Sequence, residues 1–131
     1  MPFLLNIDVP DVAAAERFYV AAFGLEAGRR FGEGFVELIG WPASVYLLQK
    51  APSSRSAGED LRRYDRHWTP IHPDVVVEDL DAALRRATAA GAIIESPPAL
   101  TPYGRIAMLA DPFGHGFCFI EFNEQGYDAL L

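Results

Sequence analysis

The sequence is short of cysteine and of basic residues, and both shortages exclude whole classes of protein. Cys118 is the only cysteine among 131 residues, so no disulfide can form within the chain, which is typical of a reducing compartment. Lys and Arg number 11 against 18 Asp and Glu, giving a formal net charge of −7. Nonspecific nucleic-acid binding needs a surplus of positive charge to neutralise phosphates, so we expect no nucleic-acid partner.

Long apolar runs are also missing. No stretch approaches the roughly 18 apolar residues of a membrane-spanning helix, and residues 1–11 lack the basic start of a secretory signal. We therefore expect no membrane partner and a cytoplasmic location. The apolar fraction is 50%, which is ordinary for a globular domain of this length.

What the sequence does contain is one pattern that occurs twice. Residues 3–9 alternate apolar and polar side chains like a strand, and a helix follows from the N-cap candidate Asp11 to Gly24. The same order of strand, Asp79 and helix returns at residues 71–91. A shift of 68 positions aligns identical residues, which indicates an internal duplication. The aligned pairs are Val9 with Val77, Asp11 with Asp79, Ala14 with Ala82, Ala15 with Ala83 and Arg17 with Arg85.

Three short strands are predicted after each helix, so that each half is a β-α-β-β-β module. They are residues 26–31, 34–39 and 44–49 in the first half, and 92–96, 104–110 and 115–122 in the second. We divide the chain into module one (1–50), a linker (51–68), module two (69–122) and a tail (123–131). A helical turn is expected within the linker, from Glu59 to Arg66.

The stretch ADPFGHGFCFIEF, residues 110–122, combines a turn with the last predicted strand. Asp111, Pro112 and Gly114 occupy positions that suit a type I turn between antiparallel strands. His115 and Glu121 share one strand face, whereas Cys118 lies on the other. These three metal-binding residue types therefore cannot meet at one ion from a regular strand.

The duplicated module and the DPFGH turn before an apolar strand resemble the vicinal oxygen chelate superfamily, which includes glyoxalase I, bleomycin-resistance proteins, fosfomycin-resistance enzymes and extradiol dioxygenases. The resemblance covers about residues 3–122. It implies an α+β fold in which two tandem β-α-β-β-β modules form a curved eight-stranded cleft, with the helices on the outer face. It also implies a homodimer, because members of the superfamily commonly pair modules between chains.

Metal-dependent members of the superfamily carry ligands at four equivalent places, usually His or Gln, Glu, His and Glu. In this chain the resemblance places Leu4, Leu47, His72 and Cys118 there, with Tyr46 and Gln49 as alternatives for the second place. Two leucines cannot ligate an ion, so we expect the family's metal site to be absent and no cofactor to be needed. A shifted, oxygen-rich site remains an alternative, and its ligands would be Asn6, Asp8, His72 and Asp74.

His72 is the candidate catalytic residue, since an imidazole titrates near neutrality and can act as a general base or hydrogen-bond a ligand. The alternative is an inert histidine of the cleft wall. Asp8 and Asp74 are candidates for orienting His72 or binding a ligand amine, or for bonding to neighbouring strands. Cys118 is either a reactive thiol or a small apolar strand residue, and Arg105 either binds an anion or forms a surface salt bridge.

Aromatic residues are candidates for stacking on a ligand, or for covering the core edge or a dimer interface. They are Tyr46, Tyr103, Trp41 and Trp68. The full set predicted to contact a ligand is Asn6, Asp8, Leu47, His72, Asp74, Tyr103, Arg105 and Cys118.

Three functions follow from these observations as hypotheses. The first is a metal-independent protein that holds a small, partly apolar organic molecule. The second is a glyoxalase-like lyase or isomerase, or a dioxygenase, that uses His72 with a shifted metal site or metal-free acid–base chemistry. The third is a protein whose cleft is filled by side chains and which serves in oligomer contacts.

Overall fold

Eight strands and two α-helices make up the structure, a computed structural model that describes residues 1–131. The elements follow the predicted order, and the expected α+β class is confirmed. In chain order they are β1 (Leu4–Val9), α1 (Val12–Phe23), β2 (Glu26–Arg30), β3 (Phe35–Ile39), β4 (Ser44–Gln49), β5 (Asp74–Val76), α2 (Leu80–Ala90), β6 (Ile93–Thr101), β7 (Gly104–Ala110), β8 (Gly116–Phe122) and a 3-10 helix, Gly126–Leu130.

The chain divides into two compact units, Met1–Asp65 and Arg66–Leu131, and each contains one helix and one four-stranded sheet. The strand orders are β1-β4-β3-β2 and β5-β8-β7-β6. The two orders are the same when the strands are matched module to module. The first and last strands of each module pair in parallel, and the remaining pairs are antiparallel. The duplication that the sequence indicates is therefore present in the topology.

Both helices begin and end as their sequences predict. The carboxylate of Asp11 accepts a hydrogen bond from the Ala14 backbone N–H at 2.9 Å, and Gly24 ends α1 with a φ of 67°. Asp79 accepts from the Ala82 N–H at the same distance, and Gly91 ends α2 with a φ of 116°. An aspartate at the N-cap satisfies an orphan helix N–H, and glycine adopts the left-handed C-cap without a steric penalty.

The helix of each unit covers one face of its sheet, and we call the opposite face of the sheet its far face. In the first unit the buried side chains include Val9, Ala15, Phe18, Ala22, Val36, Leu38, Val45 and Leu47. In the second unit they include Leu80, Ala83, Leu84, Ala87, Ala107, Leu109, Phe117 and Phe119. Burial of these apolar faces is the main stabilising term in each unit.

Strand β6 is longer than predicted. It extends from Ile93 to Thr101 and includes Pro97 and Pro98, with irregular register on both sides of Ser96. The prolines are tolerated because β6 is the edge strand of its sheet, where a missing N–H breaks no ladder on the outer side.

The prediction of a helical turn from Glu59 to Arg66 is wrong. This segment contains turns and an isolated bridge between Arg55 and Leu61, but no helix. Arg62 instead donates its backbone N–H to Ser54, and its side chain reaches Asp8. The tail adopts the 3-10 helix named above. Neither α-helix has the length and apolar character needed to cross a bilayer.

Candidate functional site

The far face of the second sheet brings together three of the predicted site residues. Strand β5 pairs in parallel with β8 so that Asp74 lies opposite Cys118, and both side chains point away from α2. His72 precedes Asp74 by two residues, which places it on the same side of the extended chain. We call His72, Asp74 and Cys118 the β5–β8 cluster.

The donor atoms of the β5–β8 cluster lie close together. One donor atom from each residue falls within 4.8 Å of the others, and His72 Nε2 is 3.4 Å from Asp74 Oδ1. Cys118 is buried, whereas His72 and Asp74 are partly exposed. The second ring nitrogen, Nδ1 of His72, is buried and has no hydrogen-bond partner. A buried polar atom without a partner costs free energy, so this nitrogen marks a place where a ligand atom would be stabilising.

The thiol of Cys118 is held in its neutral form. Burial raises its pKa to about 12, and the negative charge and hydrogen bonding of Asp74 act in the same direction. A cysteine nucleophile requires the thiolate, which a positive neighbour would favour. The structure therefore supports the interpretation of Cys118 as a small, buried strand residue, and not as a reactive thiol.

Trp68 lies beside the cluster. Its ring centroid is 4.7 Å from that of His72, with a tilt of 47° between the rings. The guanidinium of Arg66 sits 5.9 Å from the Trp68 ring and pairs with Glu95 at 2.6 Å. Trp68 is 49% exposed, so its indole presents an aromatic face next to the imidazole.

Tyr127, in the 3-10 helix of the tail, is a site residue that sequence reasoning missed. Its ring packs against Tyr103 and Phe122, with centroids 5.0 and 4.8 Å away. Burial raises the pKa of the Tyr127 phenol, and the negative charge of Asp74 acts in the same direction. Tyr103, a predicted ligand contact, belongs to this aromatic group. The only hint in the sequence was the aromatic side chain itself, because the tail shows no apolar periodicity that would predict packing.

Arg105 does not belong to the site, and the prediction that it contacts a ligand at the cleft is corrected. It pairs in register with Glu121 on the helix side of the sheet, and its guanidinium binds Glu121 and Asp81 of α2, both at 3.1 Å. Glu121 also accepts the Leu80 N–H at 2.6 Å. The salt-bridge alternative for Arg105 is therefore the correct one. The side chains of Glu121 and Cys118 lie on different faces of the sheet, as strand alternation predicts.

The prediction that Leu47 contacts a ligand in the cleft is also corrected. Strand β4 pairs in parallel with β1 so that Leu47 lies beside Ile7 and is completely buried on the helix side. Tyr46 is the residue beside Asn6 on the far face, and it occupies in β4 the place that Cys118 occupies in β8. A slip of one residue moves a side chain to the other face of a sheet.

The far face of the first sheet is built around charged pairs. Asn6 is exposed, and Asp8 accepts a hydrogen bond from Arg62 Nε at 2.7 Å. Glu37 is nearly buried and is bound bidentately by Arg29, with distances of 2.9 and 2.6 Å, and by the Tyr46 hydroxyl at 3.1 Å. Hydrogen bonds from Arg29 are the main cause that lowers the pKa of Glu37 to about 2.

In this chain, the residues at the four ligand places of metal-dependent relatives do not form the metal site of those relatives. With the corrected register they hold Leu4, Tyr46, His72 and Cys118. Leu4 has no donor atom, and the Tyr46 hydroxyl is engaged by Glu37. Asp8, a predicted ligand of the alternative oxygen-rich metal site, is likewise engaged, because its carboxylate is paired with Arg62.

Comparisons with known proteins agree with this architecture. A family model described as a glyoxalase-like domain matches residues 5–120. Over 119 residues, 90% of the chain, the sequence is 46% identical to the anthracycline biosynthesis protein DnrV of Streptomyces peucetius. The chain spans only 40% of the length of that relative.

Two solved structures share the fold at lower sequence identity. The fosfomycin resistance protein FosX of Listeria monocytogenes superimposes with a TM-score of 0.73 and 16% identity, covering 100% of this chain and 96% of its own. TioX of Micromonospora sp. ML1 has a TM-score of 0.70 and 23% identity, covering 94% and 99%. At these identities the likeness establishes the fold and nothing about the reaction.

Proposed function

Because the chain belongs to the glyoxalase-like domain family, within the vicinal oxygen chelate superfamily, we propose that it binds a small, partly apolar aromatic molecule. The family's four-ligand metal site takes no part in this function, since two of its places hold Leu4 and Tyr46. The far face of the second sheet, around His72 and Trp68, forms the surface that receives the ligand.

The observation that carries the proposal is the combination of exposed aromatic and apolar side chains around one polar pair. Trp68, Val76 and Tyr127 are 49%, 59% and 51% exposed. His72 and Asp74 offer hydrogen-bonding groups between them. Sites for small organic ligands have this character, with a mostly apolar surface and a few polar groups that fix orientation.

The chemical class of the ligand follows from the surface and from the relative's name. An exposed indole beside an imidazole suits a flat, conjugated ring system, and DnrV is named for anthracycline biosynthesis. We therefore propose a polycyclic aromatic ligand of the anthracycline type, with a phenol or carbonyl oxygen bound by His72.

Calorimetric titration with an anthracycline aglycone tests the proposal. We expect saturable binding to the wild-type protein and an affinity about fivefold lower in Trp68→Leu, because a lost aromatic stack is worth about 1 kcal/mol. Trp41→Phe is the matched control, since Trp41 belongs to the first unit, where its ring packs on Phe23 of α1. Absence of binding to the wild type, or equal affinities in the two variants, contradicts the proposal.

A second candidate function is metal-free acid–base catalysis on a small carbonyl compound. The observation that favours it is the short distance, 3.4 Å, between the carboxylate of Asp74 and His72. A small movement would form a hydrogen bond, and the carboxylate would then orient the imidazole as a base. The His72→Gln variant should then lose turnover of a reactive carbonyl compound while keeping its circular dichroism spectrum. A wild-type protein inactive across a panel of such compounds contradicts this candidate.

A further inference from the structure

We propose that the β5–β8 cluster binds one thiophilic divalent cation, such as Zn²⁺, through His72, Asp74 and Cys118. All three ligands come from the second unit, so no residue of the first unit takes part. The proposal goes beyond ligand binding and is tested without any organic molecule.

The geometry is close to that of a coordinated site. Ligand atoms about 2.0 to 2.3 Å from a tetrahedral ion lie roughly 3.3 to 3.8 Å from one another. The distance from His72 Nε2 to Asp74 Oδ1 is already 3.4 Å, and no distance among the three donor atoms exceeds 4.8 Å. Donor atoms that are at most 4.8 Å apart need to approach one another by only about 1 Å to reach this spacing.

The chemistry of the donors points to a soft ion. A thiolate and an imidazole favour Zn²⁺ over Mg²⁺ or Mn²⁺, which prefer oxygen ligands. Binding forms a bond from the metal to the Cys118 sulfur and releases the thiol proton to solvent, so the ion and two anionic ligands form a neutral site.

The donor set differs from that of metal-dependent relatives in a way that predicts selectivity. Asp74 contributes a carboxylate from β5, and a thiolate stands where relatives carry a carboxylate. Three protein ligands leave a coordination position open on the far face, where water or a ligand oxygen would bind.

Titration of the untagged, metal-free protein with Co²⁺ tests the proposal directly. Because Cys118 is the only cysteine, a thiolate-to-cobalt charge-transfer band in the wild-type protein identifies its sulfur as a ligand without any variant. We expect the band to saturate at one equivalent, to disappear when Zn²⁺ is added, and to persist in an excess of Mg²⁺.

Variants then identify the other ligands. Asp74→Asn and His72→Gln should each lower the Co²⁺ affinity at least about tenfold, since even outer-shell partners of a metal contribute that much. His67→Gln is the control, because it removes an imidazole of the same unit outside the cluster. Absence of the band in the wild type, or a band unaffected in both ligand variants, overturns the metal site and leaves the aromatic-ligand proposal standing.

Discussion

At the scale of single residues, Glu37 shows how one carboxylate depends on its neighbours. It lies in the middle of β3, nearly buried, and accepts hydrogen bonds from Arg29 and Tyr46. Its pKa falls from the ordinary 4.5 to about 2 in the folded protein. A carboxyl group with a lowered folded pKa stabilises the protein above its unfolded pKa and loses this contribution as the pH falls.

The Glu37→Gln variant should therefore have a lower Tm than the wild type at neutral pH. The difference should shrink as the pH falls from 4.5 toward 2, because the wild-type carboxylate becomes protonated over this window. Thermal unfolding followed by circular dichroism measures it, with Glu33→Gln as the exposed control on the same unit. A Tm difference that stays constant across the window contradicts the assigned ion pair.

The site residues show what strand alternation predicts and what it leaves open. His72, Asp74 and Cys118 are brought together because alternation and parallel pairing fix their faces. Leu47 was misplaced because its register against β1 depends on long-range pairing, which the local pattern does not specify. Tyr127 was missed since its position depends on packing of the tail against Tyr103.

At the scale of elements, the helices were predictable because their signals are local. Aspartate caps and terminal glycines act within a few residues, and both are found in the structure. Strand β6 was underestimated because Pro97 and Pro98 normally end a strand, and only its edge position tolerates them. The segment at 59–66 has polar residues of good helix propensity, but the bonds of Arg62 to Ser54 and Asp8 hold it in a non-helical path.

Removal of either cap should destabilise its own helix. Asp11→Ala and Asp79→Ala are each expected to lower the free energy of unfolding by about 0.5 to 2 kcal/mol, because each leaves a helix N–H without its partner. Urea denaturation measures the loss, and Asp60→Ala serves as the control for an exposed aspartate that caps no helix. If both cap variants match the control, the cap bonds do not contribute to stability.

At the scale of the whole molecule, we expect a homodimer. Exposed apolar side chains lie on or beside the edge strands β1 and β5, including Phe3 at 70% and Ile71 at 90% exposure. Such surfaces are normally covered by a partner. Sedimentation at micromolar concentration should give twice the mass of one chain, and Phe3→Asp or Ile71→Asp should shift the protein toward monomer.

Leu100→Asp is the matched control for dimerisation, because Leu100 is an exposed apolar residue of β6, the opposite edge of the second sheet. This variant should sediment like the wild type. A wild-type protein that is monomeric under these conditions contradicts the expectation, as does a dimer that only Leu100→Asp disrupts.

The two prolines of β6 also affect the tendency of the protein to aggregate at high concentration. A free sheet edge is a template on which strands of other chains can stack into fibres. Pro97 and Pro98 offer no N–H to an incoming strand, and the irregular register around Ser96 bends the edge away from a flat ladder. This border of the second sheet is therefore protected against amyloid-like growth, even though β6, at nine residues, is the longest strand of the fold.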